Sequence, residues 1–138
     1  MSNVRQLREK TPDSEKMTIN LGYVDLGRID LLVQEGFYSN RSDLIRTAIR
    51  NQLESHMEVV SKSLERHTME LGLRDYSVAD LEALQAAGEV LHVKVVGLAR
   101  IAADVPLELA LKTIGLITVL GALQASADIK KALADRIK

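Results

Sequence analysis

Lys16, Thr18 and Asn20 stand at every second position of the segment KMTINL, and Met17, Ile19 and Leu21 fill the positions between them. Strict alternation is the signature of a strand, because successive side chains leave opposite faces. The segment therefore has one polar face and one apolar face. The polar three are hydrogen-bonding types that suit the edges of base pairs. Lysine donates to guanine O6 or N7, asparagine pairs bidentately with adenine, and threonine bonds a base or touches a thymine methyl. Taken alone, the same face is an ordinary solvated strand surface. The neighbouring elements decide between the two. A lone strand leaves backbone groups unpaired, and its nearest partner is the same strand of a second copy. Such a two-stranded ribbon has the width of a DNA major groove.

The residues after the strand must position it. Gly22 ends the alternation. Leu26, Ile29, Leu32 and Val33 then recur at helical spacing, which predicts a helix over residues 24–35. Gly36 sits where a C-cap glycine is expected. Ser39 reads as the N-cap of a second helix, its hydroxyl accepting from an otherwise orphaned amide. Leu44, Ile45, Ala48, Ile49 and Leu53 form the apolar face of that helix. Met57, Val60, Leu64 and Leu71 carry the spacing onward with no Pro or Gly before Gly72. The pattern predicts one long helix to about residue 71, in part a coiled segment.

The alternating strand, Ile29-Asp30, the turn Gly36-Phe37-Tyr38 and the helix opening SNRSDLIRTAIR resemble, in order and spacing, the ribbon-helix-helix family of MetJ/Arc-type β-ribbon DNA binders. The resemblance covers residues 16–54. It implies an intertwined homodimer on double-stranded DNA, with Lys16, Thr18 and Asn20 as base contacts. It implies a dimer core of Met17, Ile19, Leu21, Ile29, Val33, Ile45 and Ile49. In the family, the start of the second helix holds a DNA phosphate through its free amides. Asn40, Arg41 and Ser42 occupy that place, and a helix N-terminus suits an anion. Three positions depart from the family's pattern. Gly22 stands at the turn where a proline or an acid is frequent, Asp25 takes a commonly apolar position, and Gly27 falls inside the first helix, where it costs roughly 1 kcal/mol against Ala.

The C-terminal half changes character. Ser77 caps a short helix over residues 78–87 that ends near Gly88. VLHVKVVGL, residues 90–98, and LITVLGAL, residues 116–123, are β-rich. Between them, residues 104–113 read as a helix with Pro106 near its start. Ser126 caps a last helix over residues 127–137, with Ile129, Leu133 and Ile137 on one face. Two glycine-led pieces, GLARIA and GLITVL, are weakly self-similar. The β-rich pieces resemble the short solenoid coils of bactofilin-type segments. One coil cannot bury its own apolar faces, so self-association or partner docking is expected of this unit. An ordinary small core is the alternative.

The expected fold class is α+β: an N-terminal ribbon-helix-helix in an intertwined dimer, a long second helix, and a small C-terminal α/β unit with short strands. The expected divisions are a flexible basic arm (1–15), the DNA-binding module (16–54), a helical extension (55–75), and an oligomerisation or effector unit (76–138). The net charge of −1 gives no global attraction to nucleic acid, so positive charge must act locally. Arg5, Arg8 and Lys10 in the arm are one such local source, or simply a solvated tail. With 46% hydrophobic residues the chain is globular rather than disordered. It has no cysteine, which excludes disulfides and thiolate chemistry.

No apolar signal core is read near the start, and residues 113–127 fall short of the roughly 20 a membrane helix needs. Cytoplasmic, nucleoid-associated localisation is expected, with no membrane partner. His56, His67 and His92 do not make the three or four convergent ligands of a metal site, so no metal or cofactor is expected. No catalytic triad, phosphate loop or paired carboxylate emerges, and the chain is expected not to be an enzyme. The leading expectation is a sequence-specific regulator, a repressor, with room for a higher oligomer through residues 76–138. The alternative is an antitoxin-like or assembly protein whose C-terminal unit mediates protein–protein interaction or polymerisation.

Overall fold

A computed structural model describes residues 13–138. The basic cluster Arg5, Arg8 and Lys10 lies outside the described residues. The chain divides into two compact units, one over residues 14–63 and the other taking in residues 64–138.

The first unit opens with residues 15–22, which form neither helix nor sheet pairing within the chain. Helix α1 follows, Tyr23–Gln34, with the expected apolar spacing. Gly22 caps it without a side-chain bond, and Asp25 lies in the first turn, where a negative charge suits the helix dipole. The helix stops in a Schellman turn. Gly36, at φ +87°, donates to the Val33 carbonyl at 3.1 Å, and Phe37 donates to the Leu32 carbonyl at 3.0 Å. Helix α2 spans Arg41–Ser55. Its N-cap is Asn40, one residue later than expected. Asn40 Oδ1 accepts from the Asp43 amide at 2.8 Å, while Asp43 Oδ2 accepts from the Ser39 amide at 2.9 Å. The amide Asn40 binds lies three residues on, within reach of its short side chain, and the Asp43 carboxylate then reaches back to Ser39, as in a capping box.

The single long helix to residue 71 is corrected in two places. Helix α2 ends at Ser55, and α3 begins at Met57 and runs to His67. At the break Ser55 Oγ donates to the Gln52 carbonyl at 2.6 Å. A serine hydroxyl bonded to its own helix competes with the backbone ladder. Apolar spacing continues through the break, so periodicity alone does not reveal it. Helix α3 then ends in a second Schellman turn, with Thr68 at φ +54°. Residues 70–76, expected to begin as helix, instead form strand β1, Glu70–Tyr76. Leu71 sits seven residues after Leu64, but its neighbours pair with a strand, and pairing overrides that coincidence of spacing.

The second unit is a three-stranded parallel sheet in the order β1-β2-β3, with β2 spanning Leu91–Ile101 and β3 spanning Ile114–Gln124. Both later strands run 11 residues, longer than the short strands expected. Helix α4 (Val78–Ala87) links β1 to β2, and α5 (Leu107–Thr113) links β2 to β3. Helix α6 (Ala127–Ala132) and a 3₁₀ turn (Ala134–Arg136) follow, replacing the single last helix expected. Helix α4 has a full capping box, Ser77 with Asp80, and ends on Gly88 in the left-handed region. Helices alternate with the strands, as expected of a small α/β unit, and they set this half apart from the short solenoid coils that its β-rich pieces resemble.

What remains of that resemblance is repetition. Gly72, Gly97 and Gly121 stand roughly 25 residues apart, each in a strand followed by a helix. They also lie side by side in the sheet, Gly72 against Gly97 and Gly97 against Gly121. All three have positive φ, +130°, +138° and +119°. The helices return equivalent apolar residues to one core: Leu81 from α4, Leu109 from α5, and Ile129 with Leu133 beside α6. These pack on Val93, Val95, Ala99 and Ile117 of the sheet. At the far edge, Ile137 bridges to Ile117 of β3, and the Lys138 amide donates to the Ile117 carbonyl at 2.9 Å. Arg136 holds this tail in place by donating to the carbonyls of Leu111, at 2.8 Å, and Ile114, at 2.6 Å.

Candidate nucleic-acid interface

Residues 15–22 extend ahead of α1 with both faces open. Lys16, Thr18 and Asn20 are exposed, and so are the residues between them: Met17 at 80%, Ile19 at 55% and Leu21 at 38%. Behind them α1 packs on α2, and Ile29 is the one buried residue among residues 14–63. Val33 and Ile45 are half-buried, and Ile49 is 52% exposed. A unit with one buried residue lacks the core that a fold of this size needs. Large apolar side chains of the extended segment and of both helices instead stand exposed, among them Met17, Ile19, Leu31, Ile49 and Leu53. Large uncovered apolar surface of this kind marks an association site.

The start of α2 is built differently from a row of free anion ligands. Arg41 donates from Nε to Asp30 Oδ1 and from Nη2 to Asp30 Oδ2, both at 2.8 Å. This bidentate pair ties α2 to α1 across the turn. The hydrogen bond from Arg41 holds the Asp30 carboxyl below its ordinary value, against desolvation, which pushes it up, and with help from the Arg41 charge. Asp30 likewise raises the Arg41 guanidinium above its ordinary value. A guanidinium has five N–H groups, and the fork uses two, so the remainder can face a phosphate. Asn40 is turned inward to cap the helix, while Ser42 is exposed. Asn40, Arg41 and Ser42 therefore share one helix start with three different present roles: cap, clamp and open surface.

A carboxylate with a lowered folded pKa stabilises above its unfolded value and loses that contribution as pH falls through the folded one. Urea unfolding followed from neutral pH to below the ordinary carboxylate range should therefore show a loss at the acid end that Asp30→Asn lacks. The pair is solvent-exposed, so the effect is small.

The profile of the Ribbon-Helix-Helix transcriptional regulator family matches residues 12–130. The chain belongs to this family. No curated protein and no solved structure matches it. The match runs past the helices of the ribbon-helix-helix unit and through the parallel sheet to α6, so the C-terminal unit is part of the family's own pattern. Ribbon-helix-helix proteins bind DNA, usually as dimers.

The sequence reading gives neither Asp30 nor Asp43 a role at this site, although Asp30 stands in the Ile29-Asp30 pair and Asp43 in the helix opening that carry the family resemblance. The Asn40-to-Asp43 spacing is a capping signal visible in the sequence; the Asp30–Arg41 fork, between residues eleven apart across a turn, is not. His56 and His92 have hydrogen-bonding partners. His56 Nε2 meets Gln52 Nε2 at 3.2 Å, and His92 Nδ1 accepts from the Leu116 amide at 3.1 Å where the β2–β3 register shifts. Among the described residues no group of three or more His, Asp or Glu side chains is placed to hold a metal. No described helix is long and apolar enough to cross a membrane.

Proposed function

We propose that this ribbon-helix-helix chain is a homodimeric, sequence-specific DNA-binding regulator, acting as a repressor at the nucleoid in the cytoplasm. Residues 16–21 of two copies pair as an antiparallel ribbon and enter the major groove. Lys16, Thr18 and Asn20 from both copies face the base edges. Met17, Ile19 and Leu21 close the opposite side over Ile29, Val33, Ile45 and Ile49. The start of α2 sits on the DNA backbone, where the amides of Arg41 and Ser42, the Ser42 hydroxyl and the unused guanidinium donors of Arg41 meet phosphate. Asn40 fixes that helix start by capping it. The unit from 76 to 138 serves association or an effector. Binding needs no enzyme chemistry, and occupancy of the groove is enough to block access to the site.

The observation that carries this reading is the uncovered, alternating segment ahead of two helices that bury only Ile29. DNA fragments that co-purify with the chain test it. The native chain should enrich a common sequence. The Lys16→Ala/Asn20→Ala variant should retain DNA with that preference relaxed, since each lost base contact costs about 1–3 kcal/mol of discrimination. Equal enrichment by both proteins would remove the ribbon as reader.

A further inference from the structure

The two edges of the sheet in the second unit differ. The β3 edge meets the chain's own tail at one point, the Ile117–Ile137 bridge. Strand β1 pairs with β2 on one side, and among the described residues no strand lies on its other side. Nearly all of β1 is exposed, including Leu71 at 56% and Leu73 at 48%. An open strand edge with apolar side chains is a template for another strand.

The sequence of that edge is Glu70-Leu71-Gly72-Leu73-Arg74. It is self-complementary about Gly72. If a second copy of β1 runs antiparallel to the first with Gly72 at the centre, Glu70 faces the partner's Arg74. Leu71 faces the partner's Leu73, and both pairs repeat by symmetry. Directly opposed residues in antiparallel strands point to the same face, so the charged pairs gather on one side and the leucines on the other. In the single chain Glu70 and Arg74 already pair with each other across Gly72, and a Cβ at Gly72 would meet nothing within 4 Å. The charges are thus matched and the space between them is clear.

We infer that β1 is a second self-association surface, where two copies of this chain pair antiparallel about Gly72 into one six-stranded sheet. Such contact is isologous and closes on itself. The pairing deepens the association role proposed for the C-terminal unit and does not depend on DNA binding.

The chain has no cysteine, so single cysteines report position directly. Full-length Glu70→Cys and Arg74→Cys chains, co-expressed and oxidised without DNA, should give a covalent mixed dimer. Each variant alone should give several-fold less, because residue 70 then lies four positions along the strand from its own copy, roughly 13 Å away. Leu71→Cys with Leu73→Cys is the matching pair on the other face and keeps the test readable if the first pair folds poorly. Mixed product from both pairs supports the pairing. Equal product from single variants overturns the Gly72-centred register. No product above background from either pair overturns the interface, and leaves the ribbon reading untouched because DNA enrichment is measured separately.

Discussion

Ile19→Lys should separate the two copies and abolish DNA retention together. Burying an isoleucine contributes about 1.5–3 kcal/mol, and the dimer loses it once from each copy. That amounts to roughly two to four orders of magnitude in the dimer dissociation constant, before the added cost of a charge at the seam. Sedimentation equilibrium reads the first effect and a shift assay the second. Lys16→Ala/Asn20→Ala is the contrast. It sits on the opposite face of the same segment, so it should weaken sequence preference while the dimer sediments unchanged. If Ile19→Lys stayed dimeric with normal DNA retention, the apolar face of residues 16–21 would have no role in either.

Gly97→Ala should be among the most damaging single methyls in the sheet. A Cβ there would lie 2.2 Å from the Gly72 carbonyl oxygen, and the backbone sits at φ +138°. Strain and overpacking together come to roughly 2–6 kcal/mol, against a total of about 5–15 kcal/mol for a domain. Gly121→Ala should behave alike, since its Cβ would lie 2.0 Å from the Gly97 carbonyl oxygen. Gly72→Ala has a similar φ, +130°, but open space beside it, so it carries the strain without the collision. Urea unfolding of the three variants should rank Gly72→Ala as the mildest. Equal losses at all three would mean that backbone strain alone, and not the close stacking of strands, sets the requirement for glycine.

The two helices of the N-terminal unit were legible because their signals are local. Apolar spacing in both helices and the helix stop at Gly36 each depend on neighbours a few residues away. Ser77 and Gly88 likewise mark the ends of α4 at the residues where the chain caps it. The break at His56 was hidden because one turn-like residue leaves the apolar period intact. Strand β1 was hidden because Leu64 and Leu71 continue that period, and only the distant β2 tells the chain otherwise. The glycine row was visible as residues but not as a row, since register between parallel strands is set through whole intervening helices. The Asp30–Arg41 fork depends on a turn geometry that spacing does not specify. Lys16, Thr18 and Asn20 are legible as one polar face of an alternating segment; their proposed use on DNA rests on a partner strand.

Amide hydrogen exchange of residues 16–21, followed as the protein is diluted in the absence of DNA, tests that partner strand most directly. A ribbon shared between copies gives protection that rises with concentration and vanishes as the copies part. Fast exchange along this segment at concentrations where the chain sediments as a dimer would contradict it.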